Sequence, residues 1–531
     1  MPEPAMSPSN QPERKSLWKS IGTVGLITAV SRILGLVREM VRASLLGTSY
    51  YSDAFTLAFS LPNLFRRLTA EGVMTNAFIP VFCEVQRKEG RSRALAFSRH
   101  FFWLSTILLT ALSATFVLTA PWLVRYLFAP GFAGETLRLT VFLTRFMFAY
   151  IILISLAAVC QGVLNSFSVF WVSAATPVLL NIGIVGCALL FSPHLENPTI
   201  GFAVGVLIGG AAQLLFQLPF LHVRGFRLLG SLRFDDIYLK RVATLLLPTL
   251  FGVGIYQINI IVGTLIATTL QEGSLSSLNF SNRLLELVLG VFIVSIATVI
   301  LPKLSHLFIE SRPDEIRIEL QNAVRVSFFV TLPVTAMTLV AAEEIVTILF
   351  MRGRFDTDSM VKTAGALRFH ILGLAFIASN RILLTGYQAA KRLKRTVQVS
   401  AIVMVVNLLL AFGASRSIGH LGIALANTVS QIAQAVLLVC FIGEISVKRF
   451  VSKDLGKPIM KSLLIFLAML VLLFPLKRQL MLHQLSALSR LSLLLPLGAA
   501  CFGITAYVLK SKELDALIRL FTKRTGKDRG I

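Results

Sequence analysis

The sequence predicts an all-α integral membrane protein, and three observations predict it. Of 531 residues, 55% are hydrophobic and only 15% charged, against roughly a quarter charged in soluble globular chains, and the mean hydropathy is +0.77. The apolar residues fall into about fourteen runs near the ~20 residues that cross a bilayer. Basic residues gather in alternate links between those runs. Backbone polar groups in lipid must pair within their own segment, so helices are the form these runs take.

The polar start, "MPEPAMSPSNQPERKS", reads as a loose tail over 1–17. The next run is too long for a signal-peptide core, carries charges and lacks a cleavage site, so it reads as a retained first span. The runs lie near 18–46, 53–82, 98–124, 138–163, 168–191, 199–222, 242–269, 276–301, 324–350, 361–387, 397–414, 419–444, 459–476 and 488–509. The second and eighth carry charges and are the weakest by hydropathy.

Link charge orients the runs. "QRKEGRSR" at 86–93, "RGFRLLGSLRFDDIYLKR" at 224–241, "ESRPDEIRIE" at 310–319, "KRLKR" at 391–395 and "VKRFVSKDLGK" at 447–457 are basic. "GTSYYSD" at 47–53, "SPHLENP" at 192–198 and "QEGSLSS" at 271–277 are short and poor in charge. Lys and Arg favour the cytoplasmic side, which puts the first set and both termini in the cytoplasm. "KRQ" at 477–479 breaks the pattern. The net charge of +25 follows from this placement and points to lipid headgroups rather than nucleic acid.

The halves resemble each other at a shift of about 222 residues. "NAFIPVFCEV" at 76–85 matches "TVILPKLSHL" at 298–307, aligning Pro80 with Pro302, and "WLVRYLFAPG" at 122–131 matches "EIVTILFMRG" at 344–353. With a small drift, Gly162 meets Gly386 and Asn181 meets Asn407. Two six-helix lobes are expected, 18–223 and 242–445, joined by the basic cytoplasmic loop 224–241. The last two helices, 446–510, are an appendix, and 511–531 is a basic tail. Paired bundles around a midplane cavity are a common transporter design.

The stretch "SRILGLVREM" at 31–40 puts Arg32, Arg38 and Glu39 inside an apolar run. A charge at the centre of a span costs about 2.5–3.5 kcal/mol, and such residues face the bundle interior. Arg32 and Glu39, seven apart, share a face. Arg38 and Glu39 are neighbours that point apart, so each needs another partner. Asp53 opens the second run, Pro62 interrupts it, and Arg66, Arg67 and Glu71 follow. In the eighth run Arg283 and Glu286 stand three apart. Charges of this kind can simply hold helices together. Here arginines outnumber acids, and a guanidinium fork suits phosphate, so a phosphorylated or pyrophosphorylated amphiphile is the expected substrate.

The run "SRILGLVRE…SDAF…FSLPNLFRRLTAEGVMTNAFIPVF" resembles the first two helices of the MurJ (MviN) family, the lipid II flippases of bacterial peptidoglycan synthesis in the MOP exporter superfamily. The likeness continues through "LFAPGF" at 127–132, "PVLLNI" at 177–182, "NRLLELVLGVF" at 282–292 and "ILPKLS" at 300–305, and covers about residues 18–440.

The resemblance implies two six-helix lobes in a V around a central cationic cavity, with two C-terminal helices forming a groove for the lipid tail. It implies a monomer in the bacterial inner membrane that binds membrane lipids and moves lipid II, an undecaprenyl-pyrophosphate-linked disaccharide-peptide, by alternating access. It assigns Arg32, Arg38, Arg66 and Arg283 to the substrate, and Asp53, Glu39, Glu71 and Glu286 to gating or ion pairs.

Glu39 stands where many members have Asp, and Asn282 where some have Asp. Some relatives hold sodium with an acid in helix 7; here "QINIIVGTLIA" at 257–267 has none, and Gly263 takes its place. That argues against such a site and leaves coupling to the membrane potential or another ion open. No other cofactor is expected.

Other readings are a related exporter of another lipid-linked saccharide or a drug, a membrane glycosyltransferase, and a scaffold that transports nothing. A cation exporter would carry acids in its cavity, and a scaffold leaves costly arginines unexplained. "DTD" at 356–358 resembles a metal-binding motif and "DD" at 235–236 could hold a cation, but both stand in short loops. The seven histidines show no ligand spacing. The five cysteines form no CxxC and read as small hydrophobes. The chain is therefore expected to be a transporter, not an enzyme.

Overall fold

The computed structural model describes residues 11–67, 77–233, 235–441 and 450–515, and every regular element among them is helical. In chain order these are α1 (Gln11–Leu46), α2 (Tyr50–Arg66), α3 (Ile79–Glu89), α4 (Arg91–Trp122), a π-helical turn (Leu123–Phe128), α5 (Gly134–Met147), α6 (Tyr150–Ser166), α7 (Phe170–Phe191), a 3-10 turn (Ser192–His194), α8 (Thr199–His222) and α9 (Ile237–Thr268). Then follow α10 (Ser274–Ile309), α11 (Pro313–Phe350), α12 (Thr357–Leu372), α13 (Leu374–Ala389), α14 (Leu393–Ile418), α15 (His420–Cys440), α16 (Lys453–Leu482) and α17 (Ala487–Val508). Among the described residues nine helical segments are long and apolar enough to cross a membrane, or ten if α12 and α13, bent by 45°, form one span. The chain is a multi-pass membrane protein.

Several boundaries differ from the sequence expectation. The expected tail 1–17 gives way to helix at Gln11. The expected loop 224–241 ends at Asp236, whose carboxylate accepts from the Tyr238 amide at 3.1 Å and caps α9. The described residues of the second run belong to α2 and α3, and Pro80 lies at the N-terminal end of α3. Packing divides the chain into two compact units, Met1–Glu272 and Gly273–Ile531. The division falls one helix later than the repeat suggested, because α9 packs on α3, α4 and the π-helical turn.

Each unit repeats the same order of contacts. In the first, α4 meets α5 and α6, α6 meets α8, and α7 lies along α8; in the second, α11 meets α12 and α13, α13 meets α15, and α14 lies along α15. The second unit bends a span by 45° between α12 and α13, while in the first unit α5 and α6 run on as one segment, Gly134–Ser166. Glycine brings α7 and α8 together: a Cβ on Gly183 would stand 2.7 Å from the Gly209 Cα. Close backbone approach through small residues is how helices associate where lipid removes the hydrophobic drive.

The outward faces are apolar: Leu118, Leu190, Leu409, Val471 and Ile504 are all exposed. The interiors mix aromatic clusters, such as Phe78, Phe82, Phe97 and Phe101 in the first unit, with buried Ser, Thr, Asn and Gln.

The C-terminal pair α16–α17 packs on α11, with Ile465, Met469, Leu473, Leu494 and Ala506 against Phe329, Ala336 and Val340. Its polar centre accounts for Lys477 in the basic exception at 477–479. Helix α16 runs on through Lys477, whose Nζ lies 3.1 Å from Glu344 and 3.0 Å from Glu343 and donates to the Val340 carbonyl at 3.0 Å. That carbonyl adjoins Ala341, where α11 leaves helical geometry. Arg490 of α17 adds a contact to the fully buried Glu344 at 3.2 Å, and Arg368 of α12 binds Glu343 at 2.6 Å. Removing one partner of a buried pair costs about 3–5 kcal/mol. Lys477→Met is expected to lower the thermal midpoint of the detergent-solubilised chain clearly, while Lys453→Met at the exposed start of α16 leaves it in place. Equal midpoints would show that the cluster does not hold α16 to α11.

Candidate functional site

The charged face of α1 meets α7 and α2. Arg38 donates to Glu39 Oε1 from Nη2 at 2.7 Å and from Nε at 3.2 Å. This corrects the expectation that neighbours on a helix could not pair: the arginine side chain is long enough to fold back along the helix surface. Nη1 donates to Asn181 Oδ1 on α7 at 3.2 Å, and Asn181 in turn donates to the Ser31 carbonyl at 3.2 Å. The guanidinium also lies 5.8 Å from the centre of the Phe59 ring. Glu39 does have the further partner expected of it, Arg42, whose Nη2 lies 3.0 Å from Oε2 and whose Nη1 donates to Thr56 on α2 at 3.3 Å. Glu39 and Arg42 are buried, while the Arg38 side chain keeps 17% exposure. A fork that spends part of its donors on protein and keeps an open edge can still take an anionic oxygen.

Sequence reasoning missed Arg42 and Asn181. Arg42 stands three residues after Glu39, an ion-pair spacing on a helix, and Asn181 is an amide inside an apolar run.

The other predicted residues are placed as follows. Arg32 is half-buried and makes no hydrogen bond or ion pair with another described residue. Asp53 is buried in the first turn of α2, where the helix dipole favours an acid. Arg66 is half-buried and donates to Asn63 at 3.3 Å. Glu71 lies outside the described residues. In the second unit Arg283 and Glu286 pair along α10 at 3.3 Å.

The acidic pairs that resemble metal motifs serve structure. Asp356 caps α12 through the Ser359 amide at 2.9 Å, and Asp358 pairs with Lys362 at 2.7 Å. Asp236 receives two bonds from Arg93, at 2.8 and 2.9 Å, and lies 3.0 Å from His100 Nδ1. Helix α4 also holds the loop before α9, through Trp103 to the Leu228 carbonyl at 2.8 Å and Arg99 to the Ser231 carbonyl at 3.0 Å.

A family model described as "Lipid II flippase MurJ" matches residues 42–495. The chain belongs to the MurJ family. It is 37% identical over 438 residues to a probable lipid II flippase MurJ of Treponema pallidum (strain Nichols), covering 81% of this chain and 82% of that one. A lipid II flippase MurJ of Burkholderia cenocepacia is 33% identical, covering 81% and 84%. A solved MurJ in an inward closed conformation superposes with a TM-score of 0.75 at 23% identity, covering 91% of this chain and 98% of that one. An inward-facing multidrug resistance MATE family transporter of the MOP superfamily gives 0.67 at 16% identity, covering 80% and 96%. The fold is that of the MOP superfamily. The matched span opens at Arg42, so Arg32, Arg38 and Glu39 stand just ahead of it.

Burial works to raise the Asp236 pKa, but the hydrogen bonds from Arg93, His100 and the Tyr238 amide outweigh it and hold the carboxyl below its usual range. The latch therefore stabilises the fold at neutral pH and is lost as pH falls through that lowered value. Asp236→Asn should imitate the loss at pH 7, speeding tryptic cleavage after Arg227 and Arg233 several-fold. Unchanged cleavage would mean that the loop is held without the carboxylate.

Proposed function

We propose that this chain flips lipid II from the cytoplasmic to the periplasmic leaflet of the bacterial inner membrane, for cell wall synthesis, by alternating access. Family membership supports the substrate. The observation that carries the reading is Arg38: a guanidinium in a membrane helix, held by Glu39 and Asn181, whose side chain is still 17% exposed.

In this reading the pyrophosphate binds Arg38, with Arg32, Arg66 and Arg283 as further donors. Arg32, which makes no ion pair with a described residue, is suited to take a charge from outside the protein. Buried Glu39 holds Arg38 in one rotamer, so little side-chain entropy is lost on binding. The polyprenyl tail stays in the bilayer or against α16 and α17. The chain crosses the membrane fourteen times, with both termini in the cytoplasm, and works as a monomer. Asp53 pairs with an arginine while the outer side is closed and releases it on opening. No chemical bond is made or broken, so transport rather than catalysis is the activity.

Complementation tests this in bacteria depleted of their own lipid II flippase, with the membrane level of each variant measured. Wild type should restore growth, while Arg38→Ala, Arg283→Ala and Asp53→Asn at equal level should not. Rescue by all the variants would remove these residues from the mechanism. Failure of well-expressed wild type would point to another lipid-linked substrate.

A further inference from the structure

Arg42 is a membrane-helix arginine that the binding reading leaves without a role. It stands one turn after Arg38 on α1, and like charges four residues apart oppose each other on a helix. Glu39 relieves that repulsion by lying against both guanidiniums, with Oε1 at 2.7 Å from Arg38 Nη2 and Oε2 at 3.0 Å from Arg42 Nη2.

The two arginines differ in what they can reach. Arg38 keeps part of its side chain exposed and extends to Asn181 on α7. Arg42 is buried along with Glu39, and its Nη1 donates to Thr56 on α2 at 3.3 Å. Arg42 therefore faces protein, and any effect it has on a headgroup passes through Glu39.

A buried carboxylate beside a binding arginine works against binding in two ways. Its negative charge repels an anion that approaches the arginine, and away from water that repulsion is poorly screened. An arginine and a carboxylate left to each other also close as a two-point fork, which uses the donors a phosphate needs. In α1 this closure is not made. The two Arg38 donors that face Glu39, Nη2 and Nε, meet the same oxygen, Oε1. The second oxygen is turned to Arg42.

We propose that Arg42 is a positioning residue for recognition of the pyrophosphate: by holding Glu39 Oε2 it keeps the carboxylate from closing on Arg38, and so leaves Arg38 able to take a phosphate oxygen. This rests on the lipid II reading above and adds to that site a residue that does not touch the ligand.

The affinity of the full-length chain for lipid II, measured in lipid nanodiscs, tests it. Arg42→Met should weaken binding about tenfold, as couplings within one ion-pair network do. Adding Glu39→Gln to that variant should bring the affinity back to within about threefold of wild type. The competing charge is then gone, while an amide oxygen can still accept from Arg38. A purely structural role for Arg42 gives the reverse order, since the double variant has lost one more side chain. An Arg42→Met variant that binds as wild type does, or a double variant that binds no better than Arg42→Met, would overturn the proposal.

Should Arg42→Met fold poorly, Arg42→Lys and Arg42→Gln decide the matter, because both lose the guanidinium and only the lysine keeps its charge beside Glu39. Arg42→Lys should bind lipid II within about threefold of wild type, and Arg42→Gln about tenfold more weakly than wild type. Equal affinities would contradict the inference. A wild type that does not bind lipid II would sink the lipid II reading instead. The same variants titrated with inorganic pyrophosphate would then decide the role of Arg42 by the same order of affinities, and a wild type that binds neither would overturn both.

Discussion

A charge inside a membrane helix must find its partner within the protein, and the Arg38–Glu39–Arg42 cluster is where this chain meets that constraint first. One carboxylate takes both guanidiniums, at 2.7 and 3.0 Å. Through Asn181 and Thr56 the same cluster fixes α1 against α7 and α2. Elsewhere the rule repeats with other chemistry. Glu344 draws Lys477 and Arg490 onto α11, and His370 sits in a chain of neutral amides and hydroxyls. A helix placed by satisfying a buried charge is placed with direction, because the hydrogen bonds have geometry that apolar packing lacks.

Much of this is legible in the sequence. The helical class follows from hydropathy, and the charges of α1 stand out because a charge in an apolar run is costly. The repeat is visible in proline and glycine positions, and both units repeat the same order of helix contacts. What the sequence hides is pairing over distance. Lys477 looks like an exception in a charge count, and its partners Glu343 and Glu344 lie more than a hundred residues away. Asn181 looks like one polar residue in an apolar helix until Arg38 reaches it. The pairing of Arg38 with Glu39 escapes for a local reason, since neighbour rules describe Cβ directions and a long arginine need not obey them. Asp236, in a loop that reads as free and basic, is held by Arg93 and His100 because α4 runs beside that loop. Glu71 lies outside the described residues, so its predicted role is unaltered.

The basic clusters divide into two kinds. Lys477, Arg490 and Arg93 are committed to acids, and their chemistry is spent on the fold. Arg38 divides its donors between Glu39 and Asn181 and keeps part of its side chain exposed, while Arg32 makes no pair with any described residue. A site for a phosphorylated headgroup needs the second kind. The difference between a structural arginine and a binding arginine is thus read from unspent donors rather than from residue type. Relatives carrying the lipid II flippase name make the headgroup's identity the economical reading, and in the proposed function α1 binds its charged part.

In the proposed function, recognition of the pyrophosphate by α1 is the step on which transport of this lipid depends. The most direct measurement is the affinity of the purified chain, in lipid nanodiscs, for lipid II and for a neutral polyprenyl-linked analogue without the pyrophosphate. Lipid II should bind at least about tenfold more tightly, a difference of ~1.4 kcal/mol, and Arg38→Met should erase that preference while binding the neutral analogue as wild type does. Equal affinity for the two lipids, or a preference that survives Arg38→Met, would contradict it.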